Sequence, residues 1–207
     1  MRFIEQGLTE YCLSLIDMEI AIECVQNGAD DVVFITEHPE IYTAGRSFES
    51  SDFLRNLQNQ NRKREAMGWR IYYPNRGGRV TIHSPGQIVV YPIINLRKRG
   101  IGVIEYVRCL EDWIIRILEK FDVRSFKSEE GIGIWTDLGK IGYIGVRISK
   151  GISSHGFCIN INNDLSPFEN IIPCGIVDAK ITSLDRILGH RVSIQNVSKI
   201  VIETCWL

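Results

Sequence analysis

No apolar run in this sequence reaches the roughly 18 residues that a helix needs to span a bilayer. The first ten residues, M-R-F-I-E-Q-G-L-T-E, also lack the apolar centre of a secretory signal peptide. Neither charge sign dominates, since 24 Lys and Arg face 25 Asp and Glu and the net charge is -1. A nucleic-acid-binding protein normally carries a basic surplus. We therefore expect a cytoplasmic protein that contacts neither a membrane nor nucleic acid.

Paired metal-ligand motifs are absent as well. There is no C-x-x-C spacing, and the four histidines offer no H-x-x-x-H pair. We expect no metal site and no other cofactor. In a reducing compartment the six cysteines are better explained as separate thiols than as disulfides. Four lie on predicted helices, where packing roles are expected, one on a strand and one at a turn: Cys12, Cys24, Cys109, Cys205, Cys158 and Cys174.

Length and composition indicate one ordinary globular domain. The 207 residues are 44% apolar and 24% charged, and they contain no repeat, low-complexity tract or linker. A chain of this size buries a full core and leaves room for a ligand pocket. We predict a single domain over residues 1–207.

Helical periodicity is clearest over residues 102–121, where apolar residues form one broad face. Residues 9–27 show the same spacing, with Thr9 as the predicted N-cap and Asn27-Gly28 as the end. Two short helices are expected near the C-terminus, at 183–188 and 194–204, and one helical turn at 165–171.

Strand signals fill the middle of the chain. D-V-V-F-I-T-E predicts a buried strand, whereas E-H-P-E-I-Y-T-A-G-R is read as a loop broken by Pro39 and Gly45. Residues 50–68 are read as a loop with a short helix. A hairpin-like series is expected from Trp69 to about 96, with Pro92 at an edge or bulge, followed by strands near 131–136, 141–148 and 152–162. This order predicts an α+β fold, a mixed β-sheet flanked by helices, with the helices on one face.

The candidate nucleophile is Cys174, in the segment I-P-C-G-I. Because Pro173 and Gly175 flank it, no long regular element can run through this position, and the thiol is presented at a turn. A free thiol is only a few per cent thiolate at neutral pH, so it needs a partner that stabilises or takes the proton. The alternative is a buried cysteine that packs as a small apolar residue.

Lys140 is the candidate partner of that thiol. It lies between Gly139 and Ile141, so its amine can be held in a partly apolar wall. An ammonium there would stabilise a thiolate, and a neutral amine could accept the proton. The alternative is a surface lysine at a turn.

A second loop, Arg76-Gly77-Gly78, falls between two predicted strands. Paired glycines allow a close backbone approach to a ligand, and Arg76 adds a fixed charge, although a tight hairpin explains the pattern equally well. His83 ends the next strand, and Gln87 could orient a backbone group or a ligand amide. A Cys-His hydrolase with His83 or His155 as base remains a competing arrangement, because members of a catalytic triad need only converge in space.

Read together, several strings closely resemble the lipoyl(octanoyl) transferase family, also called octanoyl-[acyl-carrier-protein]–protein N-octanoyltransferases. They cover about residues 35–185 in the family's order. The matching strings are E-H-P-E-I-Y-T-A-G-R, R-G-G-R-V-T-I-H-S-P-G-Q-I-V-V-Y-P, G-K-I-G-Y-I-G-V-R-I, H-G-F-C-I-N-I-N-N-D-L-S-P-F and I-P-C-G-I with T-S-L.

This resemblance implies the fold of biotin and lipoate protein ligases and a two-step acyl transfer. Cys174 would accept octanoyl from acyl carrier protein as a thioester, and Lys140 would tune the thiol. The acyl group would then pass to a lysine of a lipoyl domain, as in 2-oxoacid dehydrogenases or the glycine cleavage H protein. Basic clusters at Arg62-Lys63-Arg64 and Arg97-Lys98-Arg99 are candidate docking patches for these acidic partners, or ordinary solvated surface.

The resemblance also implies the acyl-binding residues, which fall in three segments: Arg76, Gly77, Gly78, Arg79, Val80, Thr81, Ile82 and His83; Tyr143, Ile144 and Gly145; and Gly156, Phe157 and Cys158. Two positions depart from the family pattern. Ser84 stands where glycine is usual, which alters the turn beside His83. Cys158 stands where a small alanine-like residue is usual, which brings a second thiol near the acyl chain.

Three alternatives stay open from the sequence. An ATP-dependent lipoate ligase would share the fold, but that family favours a doubled arginine before its glycine run and needs no cysteine at position 174. A Cys-His thioesterase would release free octanoate. A non-catalytic acyl-binding or scaffold protein would bind the carrier protein and leave Cys174 unmodified.

Overall fold

The computed structural model describes residues 1–53, 70–129, 131–176 and 179–206. Five α-helices and ten β-strands are found in these ranges. The helices are α1 (Tyr11–Gln26), α2 (Leu96–Arg99), α3 (Val103–Glu119), α4 (Leu184–Leu188) and α5 (Ile194–Thr204). The strands are β1 (Arg2–Leu8), β2 (Val32–Glu37), β3 (Ile41–Ala44), β4 (Ile71–Tyr72), β5 (Val80–His83), β6 (Gln87–Ile93), β7 (Phe126–Ser128), β8 (Gly131–Thr136), β9 (Gly139–Ser149) and β10 (Ile152–Asn160).

A seven-stranded mixed sheet forms the centre of the fold. Its order is β1-β2-β6-β10-β9-β8-β7, with β1 and β2 parallel and the other neighbours antiparallel. A second, three-stranded sheet has the order β4-β3-β5. The predicted α+β class with a mixed sheet and flanking helices is confirmed.

The helices cover both faces of the large sheet, so the expectation of one helical face was wrong. Helices α3 and α5 pack on one face, whose core includes Trp113, Ile114 and Val201. Helix α1 and the small sheet pack on the other, where Met18, Val25 and their neighbours form a second core. Successive side chains of a strand point to opposite faces, so a sheet whose strands are apolar throughout can bury both.

Helix α3 illustrates how the sequence pattern produces packing. Its apolar residues recur on one face, and Tyr106, Leu110, Trp113 and Ile117 are all fully buried. The indole Nε1 of Trp113 donates to the carbonyl oxygen of Val201 at 3.1 Å, which satisfies the polar atom of this buried side chain. The helices predicted at 9–27, 102–121, 183–188 and 194–204 are all present. The predicted Thr9 cap is wrong, since the N-cap of α1 is Glu10 without a side-chain cap bond.

Two predictions for the strands were wrong. The segment read as a loop after β2 contains β3, whose backbone pairs with β5 and β4. The hairpin expected after Trp69 is not formed, because β5 belongs to the small sheet and β6 to the large one. Local sequence does not reveal this separation, because β3 finds its partners some thirty to forty residues further along the chain.

Pro92 lies on an interior strand rather than an edge. Strand β6 pairs with β2 on one side and β10 on the other, and Pro92 is opposite Val33. Its carbonyl oxygen accepts a hydrogen bond from Ser153 Oγ at 2.8 Å, on the side of β10. The ladder between β6 and β10 stops at Val90, so Pro92 stands where no N–H is required from it.

The cysteines are free thiols wherever their side chains are described. Cys109 and Cys158 are buried, but Cys12 and Cys24 lie exposed on α1, so the expected packing role was wrong for these two. Among the described residues, no helix combines the length and the apolar character that a membrane crossing requires.

Candidate active site

A pocket with about 480 Å³ of empty space opens between the small sheet and strands β6, β9 and β10. All the predicted acyl-binding residues line it except Gly77 and Ile82. Four further residues line it that the acyl-binding set did not include: Tyr11, Val89, Tyr91 and His155. Three segments distant in the sequence therefore meet around one cavity.

The guanidinium of Arg76 holds the rim of this pocket together. It is buried, and Nη2 donates to the carbonyl oxygen of Thr43 at 2.7 Å and to its hydroxyl at 2.8 Å. Its Nη1 donates to the carbonyl oxygens of Gly77 and Arg79 at 2.9 and 3.1 Å. Arg76 thus fixes the glycine loop against β3.

Gly45 allows that close approach. A Cβ atom at this position would lie 2.4 Å from the carbonyl oxygen of Gly78 and 2.8 Å from Nη1 of Arg76. Its backbone N–H donates to the carbonyl oxygen of Arg79 at 3.2 Å. Gly45, in the string T-A-G-R, therefore lets β3 and the Arg76-Gly77-Gly78 loop approach each other closely.

His83 is held neutral at the base of the pocket. Its Nδ1 lies 2.7 Å from Oε1 of Gln87, and the Gln87 amide nitrogen donates to the carbonyl oxygen of Ile82 at 3.2 Å and to Oδ1 of Asn160 at 2.9 Å. Because that amide nitrogen is the donor, Oε1 is the acceptor, and Nδ1 of His83 carries the proton. Burial, followed by the neighbouring His38, lowers the pKa of His83 to about 3.

His155 is a second neutral imidazole on the pocket wall. Burial, followed by the positive charges of Arg76 and Arg147, lowers the pKa of His155 to about 3. Its Nδ1 is buried without a protein hydrogen-bond partner, and its backbone φ of +54° is left-handed. A non-glycine residue in that region is uncommon and often marks a ligand site.

Tyr11 and Tyr91 add two uncharged polar side chains to the pocket wall beside His83 and His155. Nδ1 of His38 donates to the carbonyl oxygen of Thr9 at 2.7 Å, and because burial lowers the pKa of His38, its neutral ring accepts at Nε2 from the Tyr91 hydroxyl at 2.9 Å. The ring of Tyr11 stacks on His83 with centroids 6.0 Å apart. Burial raises the pKa of Tyr11 and Tyr91, so both phenols are neutral at pH 7.

Lys140 is wholly buried, so the surface-lysine alternative is wrong. Its backbone pairs with the returning chain: the N–H donates to the carbonyl oxygen of Lys180 at 2.8 Å, and its carbonyl oxygen accepts from the N–H of Thr182 at 3.0 Å. Its Nζ donates to the carbonyl oxygen of Ile132 at 2.9 Å. The same nitrogen lies 5.3 Å from the ring centroid of Trp135 and 5.2 Å from that of Tyr143. A carbonyl oxygen and two aromatic rings therefore surround this amine.

Cys174 lies in a single 3₁₀ turn, Pro173–Gly175, as the flanking residues predicted. The backbone N–H of Ile172 donates to the carbonyl oxygen of Asp52 at 2.6 Å, which anchors the chain just before the turn. Gly175 has a φ of +75°, a value that favours glycine. The side chain of Cys174 lies outside the described part of the chain.

The Cys174 turn and the Lys140 amine converge on the start of β8. A Cβ atom on Gly131 would lie 3.7 Å from Cδ1 of Ile176, two residues after Cys174. Nζ of Lys140 is bonded to the carbonyl oxygen of Ile132, the next residue of that strand. Lys140 thus contacts β8 through its amine, and Ile176, just after the Cys174 turn, lies next to the preceding residue of the same strand.

The two candidate docking patches differ. Arg97, Lys98 and Arg99 are the exposed residues of helix α2, and Nε and Nη2 of Arg99 both donate to Oδ2 of Asp31, at 2.8 and 2.7 Å. Arg62-Lys63-Arg64 lies outside the described residues.

Comparison with known proteins agrees with this geometry. Residues 14–205 match the lipoyl protein ligase A/B catalytic domain. An octanoyltransferase of Geobacter metallireducens is 38% identical over 97% of this chain and 90% of its own length, and one of Alkaliphilus metalliredigens is 35% identical over 93% and 87%.

Solved structures show the same fold at low identity. A lipoate-protein ligase A bound with ATP superposes with a TM-score of 0.72 at 13% identity, covering 98% of this chain and 83% of the ligase. The biotin protein ligase of Aquifex aeolicus gives 0.55 at 10% identity, covering 99% and 66%. The expected biotin and lipoate ligase fold is therefore confirmed, and the chain belongs to the lipoyl protein ligase A/B catalytic domain family.

Proposed function

We propose that residues 1–207 form one catalytic domain that transfers octanoyl from acyl carrier protein to a lysine of a lipoyl domain. The reaction is the first step of endogenous lipoate synthesis, and it proceeds through a thioester on Cys174. The curated relatives named octanoyltransferases support the transfer. The observation that carries the proposed chemistry is the wholly buried amine of Lys140, bonded to Ile132 in the strand whose Gly131 lies close to Ile176, just after the Cys174 turn.

Acylation needs the Cys174 thiol as a thiolate. The amine of Lys140 accepts the thiol proton, and the resulting ammonium stabilises the thiolate electrostatically, an interaction that is stronger in a buried site than in water. The thiolate attacks the octanoyl carbonyl, a new C–S bond forms, and the C–S bond to the carrier breaks. The departing carrier thiolate takes the proton back from Lys140.

Transfer to the acceptor follows the same logic in reverse. The neutral amine of the acceptor lysine attacks the thioester carbonyl, the C–N bond forms and the bond to Cys174 breaks. The thiolate leaves beside Lys140, and the amine's proton passes to solvent or to the sulfur. Because an amide is more stable than a thioester, the reaction requires no ATP.

The pocket suits an unbranched acyl chain. Its walls include the apolar side chains of Val80, Val89, Ile144 and Phe157. His83, His155, Tyr11 and Tyr91 also line it and are uncharged at pH 7, so the formal charges of the lining are those of Arg76 and Arg79. A mostly apolar cavity with a few oriented polar groups is typical of ligand sites.

The ATP-dependent ligase remains the alternative within this fold. The relatives that share 35–38% identity with the chain are octanoyltransferases, whereas the lipoate ligase structures share only the fold. The Cys-His hydrolase is disfavoured by the imidazoles, because a base with a pKa of about 3 is poorly matched to proton abstraction at neutral pH.

A transfer assay without ATP tests the proposal. The enzyme is incubated with octanoyl carrier protein and a lipoyl domain, and each protein's intact mass is measured. We expect the lipoyl domain to gain one octanoyl group on its acceptor lysine. Transfer only when ATP and free octanoate are supplied would favour the ligase, and release of free octanoate without an amide would favour the hydrolase.

A further inference from the structure

The turn that carries Cys174 is tied to the segment 49–53, which no part of the proposed function uses. The backbone N–H of Ile172 donates to the carbonyl oxygen of Asp52 at 2.6 Å, and Phe53 forms an antiparallel bridge with Ile171. Both links lie within three residues of Cys174, on its N-terminal side.

A third link reaches the other side of the turn through side chains. Asp52 is wholly buried, and its Oδ1 lies 2.5 Å from Nη2 of Arg79. The other carboxylate oxygen accepts a hydrogen bond from the backbone N–H of Glu49 at 3.0 Å. This contact is an ion pair between a wholly buried carboxylate and a mostly buried guanidinium.

The guanidinium of Arg79 packs directly on Gly175. A Cβ atom at Gly175 would lie 2.4 Å from Nη1 and 2.8 Å from Cζ of Arg79. The guanidinium of Arg79 therefore covers Gly175 and is itself paired with the buried carboxylate of Asp52.

We propose that Asp52 and Arg79 are positioning residues, which fix the Cys174 turn against Arg79, a lining residue of the pocket. Asp52 holds the chain before Cys174 through its backbone and the chain after it through Arg79. The inference rests on the proposed role of Cys174 as the nucleophile. Placement matters because a displacement of about 1 Å in a reacting group can lower a rate about 10²-fold.

The matched variants are Asp52→Asn and Glu49→Gln, which make the same carboxylate-to-amide change on two acids that contact one guanidinium. Glu49 is exposed and lies 3.2 Å from Nη2 of Arg79, so its ion pair is screened by water and contributes little. Asp52 does not line the pocket, so its loss should leave binding of the donor unchanged.

Single-turnover acylation by octanoyl carrier protein is the first readout. For Asp52→Asn we expect the acylation rate constant to fall about 10²-fold, with half-saturation by the donor unchanged within about threefold. Glu49→Gln should stay within about threefold of the wild-type rate. Arg79→Lys, which keeps the charge but loses the planar group, should lie between wild type and Arg79→Gln.

The pH profile of iodoacetamide alkylation at Cys174, mapped by peptide mass, is the second readout. It requires no octanoyl chemistry, so it tests the positioning role even if wild type forms no acyl adduct. We expect the alkylation profile of Asp52→Asn to shift toward higher pH. Removing a carboxylate near a thiolate would by itself shift the profile toward lower pH, so a rise reports displacement of the turn and not the change in charge.

Thermal unfolding shows whether each variant is folded at the assay temperature. If Asp52→Asn is not, Arg79→Gln provides the comparison, since it removes the same link from the partly exposed side. A folded variant with a lowered melting temperature but wild-type acylation and alkylation would overturn the positioning role. So would a Glu49→Gln variant as impaired as Asp52→Asn.

Discussion

The two faces of the large sheet differ in the polarity of the side chains that they bury. The face under α3 and α5 is mainly apolar, with Trp113 and its neighbours fully buried. The opposite face, under α1 and the small sheet, buries Lys140, Arg76, Asp52 and His83 among its apolar residues. Burial of apolar side chains stabilises the fold in proportion to the surface removed from water, whereas a buried polar group costs free energy unless it is hydrogen-bonded or paired.

This difference explains why the polar face is so extensively hydrogen-bonded. Arg76 donates to three backbone carbonyl oxygens and one hydroxyl, and Gln87 links His83 to Asn160. The apolar face provides the stability on which these costly groups depend. Changes on the polar face should therefore act mainly on chemistry, and changes on the apolar face mainly on stability.

The largest effect on chemistry is expected from Cys174→Ala. Removing the nucleophile should reduce octanoyl transfer to background, because the thioester can no longer form. Transfer to a lipoyl domain is measured by intact mass. Cys12→Ala, which removes an exposed thiol from α1, is the control and should transfer normally. Transfer by Cys174→Ala at the wild-type rate would remove covalent catalysis.

Lys140→Arg should impair acylation about 10²- to 10⁴-fold, since guanidinium cannot exchange a proton and does not fit the site of a buried ammonium. The rate of thioester formation on Cys174 is the measurement. Lys180→Arg is the matched control, because Lys180 is exposed and contacts Lys140 only through its backbone oxygen. An unimpaired Lys140→Arg enzyme would exclude proton handling by this residue.

Trp113→Ala tests the apolar face. It should lower the free energy of unfolding by about 3–5 kcal/mol, through lost burial and the cavity left behind. Urea unfolding measures this change, with Trp206→Ala as a partly exposed control. The acylation rate per folded molecule should stay near wild type. A specific loss of chemistry with normal stability would contradict the division between the two faces.

The two neutral histidines should make stability depend on pH. Their pKa is about 3 in the folded protein and near 6.5 when unfolded, so the unfolded chain binds more protons as pH falls. This stability is fully present above pH 6.5 and is lost toward pH 3, by about 2 kcal/mol per histidine between pH 7 and 5. Urea unfolding at both pH values measures it. His83→Gln should weaken the dependence and exposed His190→Gln should not; equal slopes would contradict the buried neutral state.

The smallest effect is expected from Cys158→Ala. This thiol is buried in the pocket wall opposite Tyr143, and the proposed reaction does not use it. Transfer should stay within about threefold of wild type, since removing one sulfur from a wall changes packing modestly. An adduct that maps to Cys158, or a large loss of transfer, would assign it a direct role.

Regular periodicity and strong breakers made parts of this molecule predictable. The apolar face of α3 predicted a helix, and the Pro173 and Gly175 flanks of Cys174 predicted a turn. Both predictions were right because these conformations depend on neighbouring residues in the sequence. Strand β3 was missed because four residues between Pro39 and Gly45 carry a weak local signal and owe their conformation to distant partners. Strand β1 was missed for the same reason.

The site was predictable where motifs marked it and not where the fold alone supplied it. Tyr11 and Tyr91 belong to a helix and an apolar strand, whose local patterns indicate core packing. Only the crossing of α1 over the large sheet brings Tyr11 to the pocket. The ion pair of Asp52 and Arg79 likewise joins residues whose partnership no spacing rule indicates.

Peptide mapping of the enzyme after one turnover with octanoyl carrier protein, without ATP or acceptor, tests the central claim most directly. The account predicts a single octanoyl adduct on the peptide that contains Cys174, formed slowly in Lys140→Arg and released when a lipoyl domain is added. An unmodified Cys174 in an enzyme that still transfers octanoyl would contradict it.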